Sequence, residues 1–127
     1  MDEHQHHEEL VNGLFNQLKT LFENSSQAIY IYLDDSHKKC NKKFASLLGY
    51  KSSSEIDNIE DSFLDTLVSK GSQKLLATTY RNAMEKLIGS TIKVTFKKKG
   101  KGEVKTTVIL VPIVYNNHLF ALHFISQ

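Results

Sequence analysis

The apolar positions along the chain fall into two rhythms. Val11, Leu14, Leu18 and Leu21 recur at intervals of three and four, with Leu10, Phe15 and Phe22 beside them. That spacing predicts an amphipathic helix from about Glu8 to Glu23 whose wide apolar face needs a partner surface. About two heptads are short for an independent coiled coil. The face therefore packs on the body of its own domain, pairs with the same helix of a second copy, or does both in part. After the polar NSSQ break (24–27) the rhythm changes to alternation: AIYIYL (28–33) sets Ile29, Ile31 and Leu33 on one side of a strand and Tyr30 and Tyr32 on the other. Both sides are bulky. The strand is expected to be covered by the main core on one face and by the N-terminal helix on the other.

Asp34, Asp35 and Ser36 supply a turn, HKKC (37–40) a short second strand, and Asn41 opens a short helix in which Phe44, Leu47 and Leu48 stand at i, i+3 and i+4 before Gly49 stops it. Lys51 to Asp65 is polar, and Ser52–Ser54 before Glu55 and Asp61 or Ser62 before Phe63 read as caps of two further short helices. Leu76, Tyr80, Ala83, Met84, Leu87 and Ile88 then repeat at helical spacing, with Gly89 as the expected terminator. Three strands finish the chain: 91–96, 103–115 and 118–126. KKKGKG, with Gly100 and Gly102, joins the first pair, and Asn116-Asn117 joins the second. Pro112 cannot donate to a ladder, so a bulge or an unpaired position is expected there. The order specifies an α+β domain built on a five-stranded antiparallel sheet, with helices on one face and the N-terminal amphipathic helix as a cap.

With 127 residues, 40% hydrophobic and 24% charged, the chain holds one domain and one core. The division read from the sequence is a disordered acidic, His-rich tail (1–8), a cap helix (9–23) and the domain proper (24–127). A formal charge of +2 creates no field that demands nucleic acid or an anionic membrane. No long apolar run is present and the N-terminus is acidic, so a cytoplasmic location is expected. The single cysteine, Cys40, forms no internal disulfide and suits a reducing compartment.

LFENSSQAIYIYLDD, then CNKKFASLLGY with its Asn41, Gly49 and Tyr50, then SSSEI, the long helix and three closing strands give an order that resembles a PAS domain over roughly Leu21 to Gln127. Two features depart from the pattern. The first turn reads DDSHKK where Asp-Gly and an apolar second strand are common, and the chain ends at HFISQ without an Asp-Ile-Thr ending and connecting helix, as a free-standing module or an excised fragment would. The resemblance implies a non-catalytic sensory or interaction module that dimerises, addresses a signalling partner protein, and takes a small ligand between sheet and helices. Its implied pocket comprises Ile31, Asn41, Phe44, Leu48, Tyr80, Met84, Val94, Phe96 and His123, and its implied homodimer uses Leu10, Val11, Leu14, Phe15, Leu18, Leu21 and Phe22.

A flavin-cysteinyl adduct is disfavoured because Cys40 precedes Asn41 instead of following it, and haem is disfavoured because no histidine lies between Asp57 and Gly89. No resident cofactor is expected, though an unidentified small ligand fits the reading. His123 stands on the apolar face shared by Leu119, Ala121 and Ile125, where it is either a satisfied core group or a polar anchor for a ligand. Asn41 can cap its helix and bridge to the neighbouring turn. His4, His6 and His7 among acidic residues offer either a weak site for nickel, copper or zinc or a solvated tail. The carboxylates of 55–65 are explained as caps, with no spacing that requires a metal. Two alternatives remain: a small enzyme using His123 with an acidic partner such as Asp65, and a nucleic-acid binder acting through Lys97, Lys98, Lys99, Lys101 and Lys105.

Overall fold

The computed structural model describes residues 2–127. Helix α1 (Glu3–Asn24) leads into β1 (Ala28–Asp34) and β2 (His37–Cys40). Helices α2 (Lys42–Leu47), α3 (Ser53–Asp57), α4 (Phe63–Leu67) and α5 (Lys70–Lys86) follow, and β3 (Ser90–Lys97), β4 (Glu103–Tyr115) and β5 (His118–Ser126) close the domain. The strands form one antiparallel sheet in the order β2-β1-β5-β4-β3, so the first strand and the last lie side by side at its centre.

Alternation along β1 divides the apolar residues between two layers, because successive side chains leave opposite faces of the sheet. Tyr30 joins Phe44, Leu48, Phe63, Leu76, Val94, Phe96 and Leu110 beneath α2–α5. Ile29 and Ile31 join Phe120 and Leu122 on the other face, where Leu10, Val11, Leu14 and Phe22 of α1 cover them. The Tyr115 ring lies over Gly13 of α1, in the space a side chain there would take.

Three local expectations are corrected. Residues 3–8 are the first turns of α1, not a disordered tail, because the Asp2 side chain accepts from the Gln5 backbone N–H at 2.8 Å and caps a helix longer than the apolar stripe alone suggested; Met1 lies outside the described residues. α5 ends at Lys86, three residues before Gly89: Leu87 takes the left-handed conformation (φ 56°) and donates its N–H to the Ala83 carbonyl. The register of β4 runs through Pro112, opposite Ala121, without a bulge. β3 begins opposite Leu110, so Pro112 pairs with β5 on one side and faces no third strand on the other, the edge position that suits proline. The irregularity in the sheet lies instead between Tyr32 and Asp34 on β1. Asn116 and Asn117 both have positive φ (48° and 64°), the two-residue turn that Asn-Asn favours between twisted strands.

The helix face expected to form a dimer is largely taken up inside the chain. Leu10, Val11, Leu14 and Phe22 are buried against the sheet and Phe15 and Leu18 partly so, leaving Leu21 as the exposed member at 40%. Covering Ile29 and Ile31 satisfies the stripe, and a second copy cannot use those side chains while α1 stays docked.

Candidate ligand-binding site

The three layers leave a cavity of about 420 Å³ between β1, β5 and the helices α4 and α5. Tyr30, Tyr32 and His123 form its floor, Phe63 and Leu64 one wall, and Leu76, Ala77, Tyr80, Arg81 and Met84 the other. The α5 contribution follows from helical spacing, which aligns Leu76, Tyr80 and Met84, and Ala77 with Arg81, at i and i+4. On the sheet, Tyr30 and His123 face each other across the β1–β5 ladder. Their rings stack at 3.9 Å with an interplanar angle of 14°. Tyr32 meets Tyr80 edge to face at 5.4 Å, and Phe63 leans on Tyr30 at 5.0 Å. Five of the ten lining residues are therefore aromatic, and Leu64, Leu76, Ala77 and Met84 complete the apolar lining.

Its polar groups divide sharply. Tyr32 donates its hydroxyl to Asp35 Oδ1 at 2.8 Å, and Tyr80 reaches the Leu33 carbonyl at 3.4 Å. The Tyr30 hydroxyl and His123 Nδ1 are buried, and neither has a hydrogen-bond partner among the described residues. A buried polar atom left unpaired costs roughly 1–3 kcal/mol, so the floor carries two unmet demands side by side. Burial, against the smaller opposing pull of the Tyr30 and Ala121 backbone, also holds His123 down to about pKa 3, well below its ordinary 6.5, so its ring is neutral at physiological pH. Burial pushes the Tyr30 hydroxyl well above its usual range, keeping it a neutral O–H. Both floor residues are thus uncharged, with their polar atoms covered, while Arg81, exposed at the mouth, is the one cationic side chain in the lining.

Of the residues expected to line a pocket, Tyr80, Met84 and His123 do so. Phe44, Leu48, Val94 and Phe96 are fully buried core residues behind the floor, with Phe44 4.8 Å from Tyr30 and 5.5 Å from Phe96 between ring centres. Ile31 is misplaced: it lies under α1 on the opposite face of the sheet, one residue out of phase with Tyr30 and Tyr32. Asn41 is a structural knot away from the cavity. Its Oδ1 accepts from the backbone N–H of Phe44 and of Ile29, each at 3.0 Å, and its Nδ2 donates to the carbonyls of Phe22 (3.2 Å) and Gln27 (2.9 Å). All its hydrogen-bonding capacity is thereby spent on joining α1, β1 and α2.

Tyr30, Tyr32, Phe63, Leu64, Leu76, Ala77 and Arg81 escaped the sequence reading. The alternation on β1 carried the signal for the two tyrosines; which face met which helices did not follow from it. The α4 residues reach the cavity only through tertiary packing.

The remaining chemistry-bearing residues are engaged elsewhere. Cys40 is buried on β2, where desolvation pushes its thiol well above the ordinary range, and it has no thiolate character. Asp57, raised to about 6 by burial against the opposing pull of Lys39, accepts from the Cys40 backbone N–H at 3.0 Å. Asp65, the suggested partner of His123, is exposed on α4, where its backbone N–H donates to the hydroxyl of the capping Ser62. Two lysines of the β3–β4 hairpin are tied to the body: Lys99 to Glu55 at 2.6 Å and Lys97 to the Asp65 carbonyl.

A family model described as PAS domain matches residues 16–81, over half of the chain. Among solved structures, the PAS domain of a protein from Colwellia psychrerythraea is similar with a TM-score of 0.70 at 20% identity, covering 90% of this chain and 96% of that one. The Rhodobacter sphaeroides LOV protein is similar with a TM-score of 0.70 at 13% identity, over 91% of this chain and 66% of that one. The PAS domain of the fruit-fly ELK potassium channel gives 0.67 at 16% identity, over 89% and 95%. At these identities the likeness is one of fold. No curated protein matches the sequence.

Proposed function

The chain belongs to the PAS domain family, and from that premise we propose that it is a non-catalytic sensory module whose signal is a small ligand held in the cavity between β1, β5 and α4–α5. The observation that carries this reading is an aromatic-rich cavity whose floor residues, Tyr30 and His123, each bury a polar atom without a hydrogen-bond partner. At about 420 Å³ it lies within the roughly 300–1,000 Å³ range of small-molecule sites. The ligand is a planar, largely apolar molecule: its flat body fits between Tyr80, Phe63 and Tyr30, one polar group meets the Tyr30 hydroxyl and His123 Nδ1, and an anionic end suits Arg81 at the mouth. Among the described residues the lining holds no carboxylate to work with His123, which favours binding over turnover. A cytoplasmic location and a partner protein that responds to the bound state complete the reading, and among the described residues no helix is long and apolar enough to cross a membrane.

A thermal-shift series with planar aromatic carboxylic acids tests it. At least one is expected to raise the Tm of the wild-type chain. His123→Phe and Ala77→Phe, the second narrowing the cavity without touching either unpaired atom, are expected to abolish that rise. A shift unchanged in both variants would remove the cavity from the function.

A further inference from the structure

Five of the six histidines gather at one end of the molecule, where the first turns of α1 pass the β1–β2 turn and the β4–β5 hairpin: His4 and His7 lie 4.6 and 5.4 Å from His37 between ring centres, and His6 lies 5.0 Å from His118. The sensory reading uses none of them. His37 is the organising member. Its Nδ1 stands 2.6 Å from Asp34 Oδ1, so the proton between them sits on Nδ1 and the Nε2 lone pair is left free. That nitrogen points at α1, 3.0 Å from His4 Nδ1 and 3.8 Å from Glu8 Oε2. His4 and Glu8 are one helical turn apart and so present their side chains on one face of α1. The second oxygen of Asp34 holds His7 Nδ1 at 3.0 Å, which fixes the carboxylate in turn.

We propose that His4, Glu8 and His37 form a site for a divalent transition metal of the zinc class, bridging the N-terminus of α1 to the sheet. The three ligand atoms lie within 4.8 Å of one another. Two donors about 2.0–2.1 Å from a tetrahedral metal stand about 3.3 Å apart, so small rotations of the exposed His4 and Glu8 side chains about the buried His37 complete the geometry. Two imidazole nitrogens and one carboxylate oxygen, with a fourth position open to water, suit zinc and its neighbours and are poor for calcium or magnesium. The Asp34–His37 pair is the carboxylate–histidine arrangement that orients a metal-bound imidazole and raises its basicity. Such an ion joins elements 33 residues apart in sequence, so its uptake fastens the cap helix to the sheet.

The experiment is calorimetric titration of the full chain with zinc chloride at neutral pH, with cobalt(II) absorption reporting coordination. One ion per chain is expected, with a cobalt spectrum of low coordination number and a rise in Tm. His37→Gln, His4→Ala and Glu8→Gln should each weaken binding at least about tenfold, while His6→Ala should leave it unchanged. Where His37→Gln fails to fold, the exposed pair decides: equal losses in His4→Ala and His6→Ala mean loose chelation by a His-rich segment and overturn the proposal. Zinc affinity retained in a folded His37→Gln, or no uptake by the wild type at millimolar zinc, overturns it equally.

Discussion

At the scale of single residues, Asn41 and His123 show how differently two buried polar groups can be settled. Asn41 satisfies both donors and both acceptor positions on backbone groups of α1, β1 and α2. Asn41→Ala strands two N–H groups and two carbonyls in the interior, and urea denaturation should show a loss of about 3–4 kcal/mol. Asn41→Asp should be as damaging, since a carboxylate cannot donate to the Phe22 and Gln27 carbonyls. His123 leaves Nδ1 unpaired and refuses a proton until about pH 3. Between pH 6.5 and 3 the unfolded chain therefore takes up a proton that the folded chain does not, and stability falls as the pH falls, by up to about 1.4 kcal/mol per pH unit. Asp57 works the other way: raised to about 6 from 3.8, it is protonated first in the folded chain, and its contribution rises as the pH falls through that window. The clean reading is the difference between chains. His123→Phe should gain stability relative to the wild type progressively below pH 6.5, measured by urea midpoints across the range, and a constant difference would mean that His123 titrates normally in the fold. Asn41 was legible in the sequence because capping is local, reaching three residues on to Phe44. The partners of His123 were not, because Tyr30 reaches it only through a ladder between the first and last strands.

At the scale of elements, the sequence marked each helix and strand by its period but not the face each would offer. β1 is the instructive case. Its alternation was plain, yet either Ile29 and Ile31 or Tyr30 and Tyr32 could have met the α2–α5 layer, and a choice one residue out of phase sends Ile31 to the wrong side of the sheet. The side taken is the one on which the Tyr32 hydroxyl finds Asp35 and Tyr30 and Tyr32 meet the cavity, while Ile29 and Ile31 meet the Leu, Val and Phe side chains of α1. The same element resets the dimer. With Leu10, Val11, Leu14 and Phe22 covered by the sheet, the apolar surface left on that face is a strip on β4 and β5: Ile109, 42% exposed, beside half-buried Val111, Ile113 and Phe124. We propose that the homodimer implied by the family resemblance, if the chain forms one, uses this strip and not the stripe of α1. Light scattering should give twice the 14.5 kDa chain mass at high micromolar concentration, falling to one chain mass in Ile109→Glu. A monomer at every concentration would remove the dimer from the account.

At the scale of the whole molecule, the two faces of one sheet carry two separable tasks. The helix-covered face encloses an aromatic cavity, and the opposite face holds α1 through an apolar seam whose N-terminal end is a histidine–carboxylate cluster. The order of elements was readable from end to end because each announces itself locally, whereas the cavity and the cluster were not, since both arise where residues more than thirty positions apart converge. Tyr30 and His123 are shared by the sheet and the cavity floor, so a ligand that pairs with them acts on the central β1–β5 ladder, from which both faces are reached. The most direct test of that central claim is a native mass spectrum of freshly purified chain, taken with an absorption scan and repeated for His123→Phe. The account predicts a discrete small-molecule adduct on the wild type, either as purified or after incubation with planar aromatic acids, and its loss in the variant. A wild-type chain that stays at its bare mass under both conditions, or an adduct that survives in His123→Phe, would contradict it.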